Sequence, residues 1–305
     1  MQTVRALLKH CAGALGGADG AREATLLLRH VLDVSEAWLI AHADDPVDEA
    51  HAAVYRALLE RRGRGEPVAY LIGTRGFRTL ELRVTPNVLI PRPETELLVE
   101  LALARISRCS PDEAAQRRNP GQSMQMTPDS AALPPGYTVA DLGTGSGAIA
   151  LSIAQTCPQV LVVATDSSQA ALRVAQENAK RLGLSNVDFR QGDWCEALGN
   201  ARLDLIVSNP PYIAEGDPHL KQGDLRFEPR VALASGPDGL DAIRSIVRDA
   251  RLHLRPGAWL MFEHGFEQGS AVRELLAAHD YAEIFTERDL EGRERVSGGR
   301  GSACR

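Results

Sequence analysis

Apolar residues recur every three or four positions from Val4 to about Gly65, as in Ala24, Leu27, Leu28, Val31 and Leu32, with breaks at Gly16-Gly17, Asp33 and Asp44-Asp45-Pro46. The spacing predicts a small helical domain over residues 1–74. Its first segment, MQTVRALLKHCAGALGG, is apolar only at helical intervals and lacks the continuous run of a signal peptide. From Gly76 to Leu89 (GFRTLELRVTPNVL) the pattern changes to period two, which predicts a β-hairpin and a linker over residues 75–92. A helix is expected from Pro93 through ETELLVELALARI, with proline at its first position and acids in its first turn. It opens a larger domain over residues 93–305. Within that domain, residues 108–136 carry Pro, Gly, Ser and Gln without an apolar period and read as a flexible insertion.

Beyond Thr138, strand-like runs alternate with helical patterns: TVADL, AIALSIAQTC, VLVVATD, QAALRVAQENAKRLG, VDFRQ, LDLIVSN and AWLMFEHG. This rhythm predicts an α/β fold with a parallel sheet covered on both faces. Ligands of such sheets bind at the carboxyl ends of the strands.

Composition narrows the function classes. Lys and Arg total 34 and Asp and Glu 40, a net charge of −6, which argues against holding duplex nucleic acid by phosphate neutralisation. Residues 1–85 carry eleven basic and eleven acidic side chains, with Arg61, Arg62 and Arg64 read as a solvated helix C-terminus. The five cysteines are scattered without a C-x-x-C pair, which suits a reducing cytosol and a cytoplasmic protein. None of the eight histidines has metal-binding spacing, nothing approaches a membrane span, and no coiled-coil heptad suggests more than a monomer.

The sharpest local signal is Asp141-Leu142-Gly143-Thr144-Gly145-Ser146-Gly147, between a strand and a helix. Glycines there permit a tight turn and close backbone approach, and free N–H groups at the helix start favour an acceptor group. Gly143, Gly145 and Ala148 also satisfy the dinucleotide spacing G-x-G-x-x-G/A. Asp166 ends the next strand, where a carboxylate can accept from two ribose hydroxyls. This supports a nucleoside and leaves NAD and S-adenosylmethionine both open. Asp193 and Trp194 follow the third strand, positioned for an adenine amino group and ring, although a half-buried core aromatic explains Trp194 as well.

Ser208-Asn209-Pro210-Pro211-Tyr212 closes the fourth strand. Its two prolines forbid helix and ladder and leave the Asn side chain and a carbonyl facing the cleft. A planar –NH₂ acceptor needs two fixed hydrogen-bond acceptors and an aromatic partner, whereas hydride transfer needs neither.

With DLGTGSGAIAL, Asp166, DW, SNPPY, DPHLKQGDLRFEP, FEHG and the segment IPRPETE in place, the chain resembles the protein-glutamine N5-methyltransferases of peptide-chain release factors, the HemK/PrmC family. The resemblance leaves chiefly 108–136 and the short tail unmatched. It implies a Rossmann-like class I S-adenosylmethionine-dependent methyltransferase sheet with a small N-terminal helical domain joined by a β-hairpin. It further implies that Gly143, Thr144, Gly145, Ser146, Gly147, Asp166, Trp194 and Asn209 bind S-adenosylmethionine, with S-adenosylhomocysteine as product. Asn209, Pro210, Pro211 and Tyr212 would hold the glutamine of the Gly-Gly-Gln loop of a class 1 release factor, which the helical domain helps to grip.

On this reading the Asn209 side-chain oxygen and the Pro210 carbonyl accept the two amide N–H bonds, and Tyr212 packs on the amide plane. Arg92, Glu94 and Glu96 are candidates for a wall beside the cofactor, although a capped helix start accounts for the acids equally well. Phe227 and Glu228 could shape a loop over the substrate. His264 is better explained as a satisfied structural histidine. Two other functions use the same features: an amino-methyltransferase acting on a flipped DNA or RNA base, and a non-catalytic adaptor that binds a translation factor. The missing basic face and the intact glycine and NPPY segments weigh against them.

Overall fold

The computed structural model describes residues 2–15, 19–108 and 136–301. Most of the expected insertion, 109–135, lies outside the described residues, as does the tail beyond 301.

Helices α1 (Val4–Leu15), α2 (Gly20–Leu32), α3 (Glu36–Ala41), α4 (Glu49–Gly63) and α5 (Val68–Ile72) form the amino-terminal part. Their apolar stripes meet in one cluster that includes Val4, Leu7, Leu27, Leu28, Leu39 and Tyr55. Capping side chains mark the helix starts: Ser35 accepts from Trp38 N, and Asp48 from His51 N. A two-stranded pairing of β1 (Gln2–Thr3) with β2 (Pro46–Val47), too short for a periodic signal, closes the bundle. Arg62 is not a solvated helix end: it is forked onto Glu23 at 2.7 Å and reaches Asp224 of the larger domain at 3.0 Å.

The hairpin is shorter than its sequence pattern suggested, running through β3 (Thr74–Phe77) and β4 (Leu80–Arg83). Pro86 lacks a ladder donor, and Val88 N turns back to Thr85 O, so residues 85–89 leave the sheet. Helix α6 (Thr95–Arg108) begins two residues later than expected, because Pro93 and Glu94 form the turn that precedes it.

Seven strands form the main sheet, in the order β10 (Tyr281–Arg288), β11 (Glu294–Gly301), β9 (Leu254–Glu263), β8 (Leu203–Ser208), β5 (Thr138–Leu142), β6 (Leu161–Asp166) and β7 (Val187–Gln191). The five from β9 to β7 are parallel, and β11 inserts antiparallel between β9 and β10. The sheet is therefore mixed and not purely parallel as read from the alternation. The last described strand, ERVSGGRG, carries no alternating apolar signal because three of its buried positions are glycines. A Cβ at Gly298 would stand 2.5 Å from Leu260 O, so close strand packing takes the place of side chains.

Alternation along the strands sorts residues to two faces. Val139, Leu205, Val207 and Met261 face one cluster with Leu98, Val99 and Ile106 of α6 and Leu151 and Ile153 of α7 (Ala148–Thr156). Ala140, Leu142, Ile206, Leu260 and Phe262 face the other, with Ile243, Ile246 and Val247 of α8 (Asp241–Ala250) and Val272 and Leu276 of α9 (Gly269–Ala278). Helix α7 is buried from Ala148 to Ala154, because it lies on the sheet beside α6 and shares one apolar cluster with Phe77, Leu80 and Leu82 of the hairpin.

Candidate active site

Strand register lines up the chemistry. Leu142 pairs with both Thr165 and Ser208, and Ser208 pairs with Phe262. The residues one step further, Gly143, Asp166, Asn209 and Glu263, therefore follow neighbouring positions along the carboxyl edge of the sheet. Ser208 Oγ donates to Leu142 O at 2.7 Å and locks two of these strand ends together.

The turn after β5 needs its glycines. Gly143 has φ +73°, and a Cβ there would lie 3.2 Å from the Trp194 ring; Gly147 has φ +88°, and its Cβ would meet Leu151 at 2.8 Å. Behind the turn, Asp141 is fully buried and accepts from Thr144 Oγ1 at 2.7 Å and Ala150 N at 3.1 Å. Its Oδ1 is buried without a hydrogen-bond partner, and burial pushes the carboxyl up to about 7. Asp166 spans the turn on the other side, accepting from Gly145 N and Ser168 N at 2.9 Å each, with lone pairs still free for a ligand. Burial raises its carboxyl, and those two backbone donors pull it back.

A cavity of about 230 Å³ opens here. Seven of the sequence-predicted residues line it: Gly143, Gly145, Asp166, Asp193, Trp194, Asn209 and Pro211. Thr144, Ser146, Gly147, Pro210 and Tyr212 are not part of this lining. Ser146 O accepts from Asn178 Nδ2 at 2.9 Å, which ties the turn to the helix after β6, Gln169–Arg181. Trp194 is half-buried in a left-handed conformation, φ +41°, rare for a large aromatic. Its ring lies against Gly143 and forms a wall of the cavity.

Sequence reading missed two further walls. One is Pro86–Leu89, which reads as strand but turns into the cleft; the other is the segment from Pro229 to Ala232, with Val231 exposed. The Pro86-Asn87 pair was the available signal for the first.

The NPPY segment is gripped from behind. Asn209 Nδ2 donates to Thr95 Oγ1 at 3.0 Å, and Thr95 Oγ1 donates to Glu263 Oε2 at 2.7 Å. Tyr212 donates its hydroxyl to Glu263 Oε1 at 3.0 Å, and its carbonyl accepts from Gln268 Nε2 at 3.0 Å. Among the described residues no hydrogen bond reaches Asn209 Oδ1. Glu263 is fully buried, which raises its carboxyl, while the Thr95 and Tyr212 hydroxyls and the Arg295 charge pull the other way. Burial and the Glu263 charge together raise the Tyr212 hydroxyl. Neither Thr95 nor Glu263 stood out in the sequence, although a glutamate ending the apolar run WLMFE was a signal.

The weaker candidates have other partners. Arg92 pairs with the buried Glu228, which also accepts from Ile90 N at 3.1 Å, so RFEP is pinned to the segment before α6. Glu96 accepts from Arg78 N in the hairpin turn at 3.0 Å, and Glu94 is exposed. Phe227 packs beside Tyr70, Val84 and Val88. His264 is buried with Nδ1 on Gly265 O and Nε2 on Ser297 Oγ, both at 2.8 Å. Among the described residues no group of three or more His, Cys, Asp or Glu could hold a metal ion, and no helix is long and apolar enough to cross a membrane.

Residues 6–73 match the PrmC N-terminal domain, and residues 128–224 match the methyltransferase small domain. The release factor glutamine methyltransferase of Xylella fastidiosa (strain Temecula1) is 53% identical over 91% of this chain and 92% of its own. That of Bordetella pertussis is 51% identical over 91% of this chain and 93% of its own. Among solved structures, a 16S rRNA methyltransferase of T. Thermophilus in complex with AdoMet and guanosine superposes with a TM-score of 0.50 at 21% identity. The match covers 74% of this chain and 49% of that one, a likeness of fold.

Proposed function

The chain belongs to the release factor glutamine methyltransferase family, and from that premise we propose that it methylates the side-chain amide nitrogen, N5, of the glutamine in the Gly-Gly-Gln motif of class 1 peptide-chain release factors, using S-adenosylmethionine. The observation that carries this reading is the placement of Asn209 in the same cavity as Gly143, Asp166 and Trp194. A methyl acceptor and a nucleoside can then meet at one strand edge.

The residues fit the cofactor. A Cβ at Gly145 would meet nothing within 4 Å, so a ligand has room at the turn. Asp166 has acceptor capacity left for ribose hydroxyls, Trp194 offers a flat wall, and Asp193 is exposed beside it. The bound cofactor supplies an electrophilic methyl group on a sulfonium.

Everything else asked of the chain is positioning. An amide nitrogen is a weak nucleophile because its lone pair is delocalised into the carbonyl. Asn209 Oδ1 and the Pro210 carbonyl accept the two N–H bonds, Tyr212 packs beside the amide plane, and the nitrogen is held toward the methyl. Orientation of this kind can lower a barrier by up to about 7–11 kcal/mol. The helical amino-terminal part, tied to the larger domain through Arg62 and Asp224, lies beside the cleft-forming segments and serves to grip the release factor.

Transfer of labelled methyl from S-adenosylmethionine to a purified release factor tests the proposal, run beside a Gln→Ala version of its Gly-Gly-Gln loop and a DNA control. Label on the unaltered factor alone is expected. Label on DNA, or on the altered factor, overturns the assignment.

A further inference from the structure

We propose that Glu263 and Thr95 are positioning residues that determine which end of the Asn209 amide faces the cleft; this rests on the methyl-transfer reading above.

Donor and acceptor roles carry the inference. An ionised carboxylate only accepts hydrogen bonds. Glu263 accepts a hydrogen bond from the Thr95 hydroxyl on Oε2 and from the Tyr212 hydroxyl on Oε1. With its proton committed, Thr95 Oγ1 presents a lone pair to Asn209, and only the Nδ2 end of that side chain can satisfy it. Asn209 Oδ1 is thereby turned toward the cavity as an acceptor for the substrate amide. One buried carboxylate thus sets the orientation of both polar side chains of NPPY.

A purely architectural link between α6 and β9 would not need a carboxylate. Burying an ionised group is costly, and a neutral or apolar pair would join the two elements with less desolvation. A carboxylate has a use here because its two oxygens accept from the Thr95 and Tyr212 hydroxyls at once. Glutamine at the same place has one acceptor and one donor end. Its –NH₂ facing Thr95 would reverse the chain, turning the threonine proton toward Asn209 and the asparagine –NH₂ toward the substrate.

The test uses the full-length protein with Glu263→Gln, Thr95→Val and Thr95→Ser, each alone and combined with Asn209→Ala. Methyl transfer to the release factor, calorimetric binding of S-adenosylmethionine and thermal melting are measured together. Hydrogen exchange of the Asn209 side-chain amide is followed by ¹⁵N NMR. Glu263→Gln and Thr95→Val are expected to lower kcat by about 10- to 100-fold, the scale of a misplaced reacting group. Cofactor affinity stays at the wild-type value, and Thr95→Ser keeps kcat. In the Asn209→Ala background Thr95→Val costs nothing further, because the residue it acts through is gone, and Glu263→Gln costs only what it loses through Tyr212. Thr95→Val also speeds exchange of the Asn209 amide protons.

Wild-type kcat in Glu263→Gln, or losses that add fully to that of Asn209→Ala, overturn the proposal. If Glu263→Gln fails to fold, the Val and Ser pair at Thr95 carries the same test. A wild-type protein that leaves the release factor unlabelled sinks the substrate assignment instead. Amide exchange then decides the positioning role: faster exchange in Thr95→Val supports it, and an unchanged rate overturns it.

Discussion

Asn209 and Thr95 stand 114 positions apart in the chain, yet the asparagine Nδ2 donates to the threonine Oγ1 across 3.0 Å. The strand that ends in NPPY and the helix that begins after PRPE are brought together by the apolar face of α6, where Leu98 and Val99 share one buried cluster with Leu205 and Val207. Core packing on one face of the sheet therefore sets the geometry of a polar contact at its edge. The same relationship makes Asn209 the first residue to examine.

Asn209→Ala removes the acceptor from the cleft and is expected to lower kcat by about 100-fold or more, the usual cost of deleting one preorganised polar group at a reacting centre. S-adenosylmethionine affinity should change far less. Single-turnover methyl transfer and calorimetry on the same preparation separate the two, and near-normal turnover would sink the acceptor model.

Trp194 forms a flat wall of the cavity against Gly143. Trp194→Ala should weaken cofactor binding by about 1–3 kcal/mol, the range for aromatic stacking on a base, while Trp194→Phe recovers part of it. Titration calorimetry measures both, and equal affinities for all three proteins would remove the ring from the site.

Asp141 gives a pH signature. Burial raises its carboxyl from 3.8 to about 7, so across that window the folded protein holds a proton that the unfolded chain has released. Stability therefore falls as pH rises through the window and levels off above it. Asp141→Asn should flatten this slope, gaining on the wild type at the upper end. Urea midpoints at about pH 4 and about pH 8 read the difference, and parallel profiles would refute it.

Arg92 and Glu228 join the segment before α6 to the RFEP loop, with the glutamate side chain fully buried and the arginine partly exposed. Arg92→Ala leaves that carboxylate without its cation and should destabilise the fold by about 3 kcal/mol, the low end for breaking a buried pair. Thermal melting checks the loss. Proteolysis between Gly223 and Ala232 should speed up at the same time, and a variant as stable and as resistant as wild type would contradict the pinning role.

Much of this protein was legible in one dimension because local periodicity and backbone chemistry are local. The 3.6-residue spacing of α2, the two-residue alternation of β8, the glycines between Leu142 and Ala148 and the prolines after Asn209 each restrict the chain where they stand. Five parallel strands and the residues at their carboxyl ends follow from that. The antiparallel β11 escaped because a glycine strand has no side-chain alternation, and the turn at residues 85–89 escaped because Val88 and Leu89 continue the strand's apolar pattern.

Which residues touch was another matter. Glu94, Glu96 and His264 drew notice in the sequence as polar residues in suggestive places, while their neighbours Thr95 and Glu263 are the ones aimed at NPPY. No spacing rule distinguishes adjacent residues of that kind, since the outcome depends on how α6 is rotated on the sheet and where β9 stops relative to β8. The elements, the glycine turn and the fixed NPPY backbone are readable from residue order alone, because they depend on φ, ψ and hydrogen-bonding capacity within a few residues. That Glu263, Thr95 and Asn209 form one hydrogen-bonded chain is visible only in three dimensions, because strand register and helix packing align residues that are far apart in sequence.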